Sequence, residues 1–333
     1  MSSQHSVFVH GSVNLSMDAA ADFMTRLRAS TKAQSAELKS KLALAPKHRA
    51  ALLDALSTIE PNGNINLVEK SYYAAARLVE LLFAEHAHSY GLDVGGSGLG
   101  RDLLDYFHAH GSSAVGPAAW TTLLASFNEL IRSYSREGAR APSTTPFFDA
   151  LEVARDACTD RRVQDMLDDL WDARHFAAEY EGSTPTVVRE MDPMASTLAS
   201  VARTWRMRLG EVPFEFVADN YSGLTSERRK AIVEAARAPL AVAGFDLPRP
   251  DLRGIRLTDS RDDARVQVAD ILSGVGREIA RLAHGGTFDD DLQVLVHEML
   301  DYNVMCSTGS PIDELVERRP LNYVSAWWAQ AGN

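Results

Sequence analysis

Apolar and polar positions follow two different periods along this chain, and the switches between them divide it. Residues 6–13 (SVFVHGSV) are rich in β-branched and aromatic types and predict a strand. Ser16 then precedes a helical pattern that runs to about Arg28, a good N-cap ahead of its helix. A second helix is expected over 47–59 and a turn at Pro61-Asn62-Gly63-Asn64. Ile65–Val68 reads as a short strand feeding a helix over 71–88.

From about 91 to 185 the period is helical. Glycines at 95, 96, 98 and 100 punctuate its start, and helices are expected at 99–110, 116–136, 146–157 and 161–180. Gly182-Ser183-Thr184-Pro185 closes the block. The final third returns to α/β alternation. It predicts a helix over 192–209, a strand FEFVAD (214–219), a helix over 225–237 and a strand GIRLTD (254–259). A helix over 263–284 and C-terminal helices over 288–305 and 311–330 complete the pattern. The expectation is an α/β fold, helix-rich overall. Residues 1–90 and 186–333 form its α/β domain around a mixed sheet, and 91–185 form a large all-helical insertion.

Composition narrows the class. The 333 residues are 45% hydrophobic and 24% charged, which suits a packed core and argues against disorder. No apolar run approaches the roughly 18–20 residues of a membrane span. The N-terminus lacks a basic stretch followed by a long apolar one, so neither membrane insertion nor secretion is expected. Cys158 and Cys306 lie far apart without metal-like spacing and read as two thiols in a reducing cytoplasm. The net charge of -11 disfavours nucleic-acid binding over the whole surface but not in a local basic groove.

Two predicted strands end in a carboxylate, Asp219 and Asp259. In open α/β sheets such ends face the ligand crevice, so both acids are candidates for one site; the alternative is a pair of turn or capping aspartates. Asp270 follows Val266-Gln267-Val268-Ala269, and its three- and four-residue neighbours are apolar or small. A carboxylate on such a packed face needs a cation or an arginine. Gln267, one turn earlier, is expected to point the same way and to bind a phosphate or orient a carboxylate.

The segment TDSRDDARVQVADILSG, with Asp-Ser ending a strand and Gln-x-Ala-Asp on the next helix, resembles the signature of the bacterial domain of unknown function 3800 family. FVHGSVNLSMDAAADFMTRL is similar to that family's second strand and first helix, AELKSKL to its Glu-Leu-Lys segment, and FEFVADNYSG to its mid-chain aspartate strand. The resemblance spans about 6–83 and 192–284 and implies a ribonuclease-H-like fold. It further implies a metal-dependent nuclease acting on nucleic acid through two magnesium or manganese ions. Asp219, Asp259 and Asp270 are then the catalytic metal ligands, with Glu37 a further ligand, and Gln267, Ser260 and Lys39 the substrate contacts.

The family's first strand, ending in Asp-Glu-Ser-Gly, has no counterpart of that sequence. Either that strand is absent, or Val7–Ser12 takes its place with His10 where the metal-anchoring aspartate belongs; a truncated gene start is the third explanation. Absence leaves neighbouring strands short of ladder partners. Pairing of 6–13 with 213–219, or a strand supplied by a partner chain, would close the gap. The alternative function is a catalytically inactive interaction protein of the same fold, bound to a protein partner or a second copy in a bacterial defence or mobile-element system.

Other constellations point less sharply. His86, His88, His108 and His110 form two His-x-His pairs, but residues two apart on a helix do not face each other, so zinc is not expected. The glycine run at 95–100 lacks the strand and the Gly-Lys-Ser/Thr of a phosphate loop. Arg203, Arg206 and Arg208 with Trp205 read as a basic-aromatic patch facing nucleic acid, or as a solvated helix face. Trp327-Trp328 reads as core or an oligomer contact.

Overall fold

The computed structural model describes residues 7–32, 38–92, 99–133, 143–176, 193–242, 245–301 and 304–317. In chain order come β1 (Val7–Val13), α1 (Met17–Thr31), α2 (Ser40–Ala43), α3 (Arg49–Ser57) and β2 (Gly63–Glu69). Helices α4 (Lys70–Leu78), α5 (Ala84–Ser89), α6 (Leu99–Val115), α7 (Pro117–Ser133), α8 (Thr145–Ala157), α9 (Arg161–Asp172) and α10 (Pro193–Leu209) follow. Then come β3 (Phe214–Asp219), α11 (Ser226–Arg237), β4 (Ala241–Val242), β5 (Phe245–Asp246) and β6 (Leu252–Thr258). Helices α12 (Ala264–His284), α13 (Asp290–Val296) and α14 (Pro311–Glu317) end the series. The fold is helix-rich with little sheet, as the periodicity predicts. Among the described residues, no helix is long and apolar enough to cross a membrane.

The chain divides into two compact units. The α/β unit comprises His5–Val68, Met207–Tyr221 and Arg253–Asn333. The helical unit comprises Met1–Gln4, Glu69–Arg206 and Ser222–Leu252, so the expected boundary near residue 91 falls inside it.

In the α/β unit, β1 pairs with β2. Asn14, just past β1, donates its N–H to the carbonyl of Asn62, just before β2, which sets the two strands antiparallel. Val9, Ile65 and Leu67 all approach Gly276 of α12 and so face that helix. By the two-residue alternation of strands, His10, Asn64 and Asn66 face the other way. Small residues let α12 lie close. A Cβ on Gly276 would stand 2.8 Å from Val9 Cγ1, and one on Gly11 would strike the Ala269 carbonyl and sit 2.8 Å from Ser273 N. The Gly11 N–H instead donates to Ser273 Oγ at 2.8 Å.

Helix α1 starts where Ser16 Oγ accepts from Ala19 N, and it stops at Lys32, whose φ of 53° is left-handed. Its Ala20, Phe23, Met24 and Leu27 join Val7, Val9, Ile65, Leu67, Ile271, Leu272 and Val275 in one core. Burial of each large apolar side chain there contributes about 1.5–3 kcal/mol. An Arg49–Asp289 ion pair links α3 to the cap of α13.

Two expectations fail here. The helix over 288–305 breaks after Val296 into a 3₁₀ turn, and Leu300 and Met305 bridge in parallel to Ile65 and Val68 of β2. A second edge of β2 thereby gains partners, and that pairing outweighs local helix propensity. Direct pairing of 6–13 with 213–219 does not form: β3 pairs with β6 in a ladder separate from β1–β2. Asn220 N–H donates to Thr258 O at 2.9 Å, which brings the C-terminal ends of β3 and β6 together and makes them parallel.

In the helical unit, Phe107, Trp120, Leu123, Phe127, Phe147, Leu151, Val163 and Leu167 form the buried centre of α6–α9. Edge-on aromatic contact fixes part of it, with Phe107 and Trp120 centroids 4.9 Å apart. Helix α9 is capped by Asp160, whose Oδ1 accepts from Val163 N at 2.9 Å. Between α4 and α5 the helix widens into a π-turn over Val79–Phe83. Cys158 is half-buried in this unit, Cys306 is buried in the other, and the two are not joined in a disulfide.

Candidate functional site

Parallel pairing puts the residues after β3 and β6 side by side in the α/β unit. Asp219 Oδ1 accepts the N–H of Asn220 at 2.9 Å and that of Ser260 at 3.2 Å. The carboxylate therefore caps the turn that leaves β6. Asp259, next to it, is bound by Arg261: Nε lies 2.9 Å from Oδ1 and Nη2 lies 2.5 Å from Oδ2. These bonds, with the Arg261 backbone N–H, hold the Asp259 carboxyl down at about 2.

Ser260 is buried, and its carbonyl accepts from Gln267 Nε2 at 2.7 Å. Gln267 Oε1 in turn accepts from Arg28 Nη2 at 3.1 Å. A continuous polar relay thus runs from Asp219 through Ser260 and Gln267 to Arg28 at the last turn of α1. Asp263, buried at the start of α12, accepts from Arg265 N and pairs with the Arg265 guanidinium at 2.6 Å, which lowers its carboxyl below the usual range.

The structure brings together Asp219, Asp259, Ser260 and Gln267 and corrects the reading of Asp270. That side chain is exposed. The packed face of α12 is carried by Val268, Ile271, Leu272 and Val275, which turns residue 270 outward. The desolvation cost that would demand a cation there does not arise. Gln267 is buried as expected, yet both ends of its amide are engaged by the protein itself. Lys39 is exposed at the start of α2. Glu37 and Trp327-Trp328 lie outside the described residues.

The resemblance implies two divalent metal ions at these strand ends. Divalent ions of the magnesium type need several carboxylate oxygens with open lone pairs at one point. Here Arg261 engages both oxygens of Asp259, and Asp219 Oδ1 already accepts two backbone N–H groups. Among the described residues, no three His, Cys, Asp or Glu side chains converge as a metal site. Among the described residues, this arrangement offers too few open carboxylate oxygens for the pair of ions.

His10 lies across β1 from α12. Its Nδ1 is enclosed without a hydrogen-bond partner. Burial holds the imidazole down at about 4, against a smaller upward pull from the charge of Asp301. The arginines read as a basic patch instead cap carbonyls. In the helical unit Arg203 donates to Ala235 and Ala238 and Arg206 to Arg249; in the α/β unit Arg208 donates to Gly63 and Glu298. Trp205 is buried.

Arg28 and Arg261 escaped the sequence reading. Arg261 stands two residues from Asp259 and was open to a local pairing argument, whereas Arg28 meets Gln267 across 239 residues of chain. No family model, no curated protein and no solved structure matches this chain.

Proposed function

We propose that the strand-end site is held shut by arginine and that the chain acts through binding, as an interaction protein on a ribonuclease-H-like fold of the kind its resemblance to the domain of unknown function 3800 family implies. The Asp259–Arg261 pair carries this reading, since it neutralises the acid best placed to share an ion with Asp219. Support comes from β3, which shows a half-exposed aromatic pair, Phe214 and Phe216, with centroids 5.6 Å apart. Val212 and Tyr221 flank it and are about half exposed, at 54% and 49%. An apolar face on a two-stranded ladder suits a protein partner or a second copy, in a defence or mobile-element setting.

Calorimetric titration with magnesium and manganese, alongside cleavage assays on single- and double-stranded DNA and RNA, tests the closed site. The expected result is neither heat nor cleavage. Metal-dependent cleavage that disappears in Asp219→Asn would overturn it. Sedimentation tests the binding half: a self-associated species that becomes monomeric in Phe216→Asp supports a second copy as partner.

A second reading, a magnesium- or manganese-dependent nuclease, is favoured by one observation. Asp219 ends β3 and Asp259 follows β6, the parallel strand beside it, and Arg261 is exposed, so its pair with Asp259 is screened by solvent. Ion binding that appears in Arg261→Ala and not in the parent chain distinguishes a closed site from one with no ligand set.

A further inference from the structure

We propose that Ser71 and His108, with Glu69 behind them, form a serine-nucleophile site in the helical unit that hydrolyses carboxylic esters. It is independent of the strand-end site, and each proposal stands or falls by its own assay.

The local sequence builds the nucleophile's position. β2 ends at Glu69, α4 begins at Lys70, and Ser71 is the second residue of the helix. The Glu69 side chain does not cap α4.

The base comes from α6. His108 Nε2 stands 3.0 Å from Ser71 Oγ, within the reach of a nucleophile–base pair. Its ring is set edge-on against Tyr72, with centroids 5.3 Å apart. Tyr72 is itself anchored by its hydroxyl donating to Asp105 at 2.7 Å, and Asp105 pairs with Arg101 at 3.2 Å. Burial lowers the His108 pKa, while the charges of Glu69 and Asp105 pull it back up.

The acid is Glu69. It is only 8% exposed, its Oε1 stands 3.5 Å from Ser71 Oγ, and its Oε2 is enclosed without a partner. A carboxylate so placed stabilises the imidazolium that forms next to it and acts as a positioning residue. Ser71 and His108 are both partly exposed.

The step balances with water alone. The Ser71 hydroxyl proton passes to His108 Nε2 as Oγ bonds to the ester carbonyl carbon, and the carbonyl electron pair moves onto its oxygen. The pair returns as the C–O bond to the alcohol breaks, and the alcohol leaves with the proton from Nε2. Water then repeats both stages on the acyl-serine, giving the free acid and restoring Ser71.

The test uses the full chain, a fluorophosphonate probe and p-nitrophenyl acetate. The probe is expected on Ser71 by peptide mass spectrometry and absent in Ser71→Ala. His108→Gln is expected to slow labelling and ester hydrolysis by about 100-fold or more. Glu69→Gln is expected to move the pH midpoint of labelling downward, because the imidazolium loses a neighbouring charge. Ser71→Cys checks the site without relying on loss: its thiol is expected to alkylate with iodoacetamide below the ordinary cysteine range, and to lose that reactivity when His108→Gln is added. Folded parent chain that takes no probe at Ser71, or labels equally fast in His108→Gln, would sink the proposal and leave the pair as a hydrogen bond between α4 and α6.

Discussion

A single glutamine ties three segments of the α/β unit together. Gln267 reaches the loop after β6 with one end and α1 with the other, and it is buried. Gln267→Leu keeps much of the volume but leaves the Ser260 carbonyl without its donor. The expected loss is about 1–3 kcal/mol, read as a lower urea midpoint with an unchanged m-value. His10 gives a pH signature. Its folded pKa, about 4, lies below the ordinary 6.5, so the unfolded chain binds the proton first. Stability is therefore full above pH 6.5 and declines as pH falls towards 4, by up to about 3 kcal/mol. Urea midpoints between pH 7 and 4 check this, and His10→Gln is expected to remove that part of the slope. Legibility at this scale was uneven. Asp219 and Asp259 were legible as neighbours because each was expected at the carboxyl end of a strand. Asp270 was misread because its small neighbours looked like a packed face, whereas the apolar anchors Val268, Ile271, Leu272 and Val275 set the true one.

Helix α12 against β1 is the contact on which the α/β unit is built, and glycine sets its closeness. Gly11→Ala places a methyl against the Ala269 carbonyl and Ser273 N, atoms of a helix backbone that cannot swing aside. The expected cost is about 3 kcal/mol, at the upper end for overpacking, seen as a lower thermal midpoint. At Gly254 a Cβ meets only Glu215 Oε1, at 3.4 Å, so Gly254→Ala makes a control whose loss is smaller. Strands and long helices were legible from period alone, as β1, β3, α1 and α12 show. The break after Val296 was not. Val296 to Leu300 carries no glycine or proline, and what ends the helix is β2, more than two hundred residues upstream. The Ser71–His108 contact was invisible for the same reason, since His108 was judged only against its helical neighbours.

At the scale of the molecule, two cores predict two thermal events. The α/β unit has its own apolar centre and the helical unit another, rich in phenylalanine and tryptophan. Calorimetry is expected to give a total enthalpy larger than the van't Hoff value, the mark of unfolding in more than one step. The α/β and helical characters of the two halves were legible from period, but their borders were not. The glycine run at 95–100 looked like a seam, whereas the chain changes unit at the end of β2, where no composition shift marks it.

Because the chain passes back and forth between the units, neither is a contiguous piece of gene. On the ribosome, β1 and β2 emerge early, yet the helix that covers β1 starts only at Ala264. Until that segment leaves the exit tunnel, Val7, Val9, Ile65 and Leu67 have no lid, while α4–α9 already hold the residues for their own core. Most of the helical unit is therefore translated before the α/β core can close over its first strands.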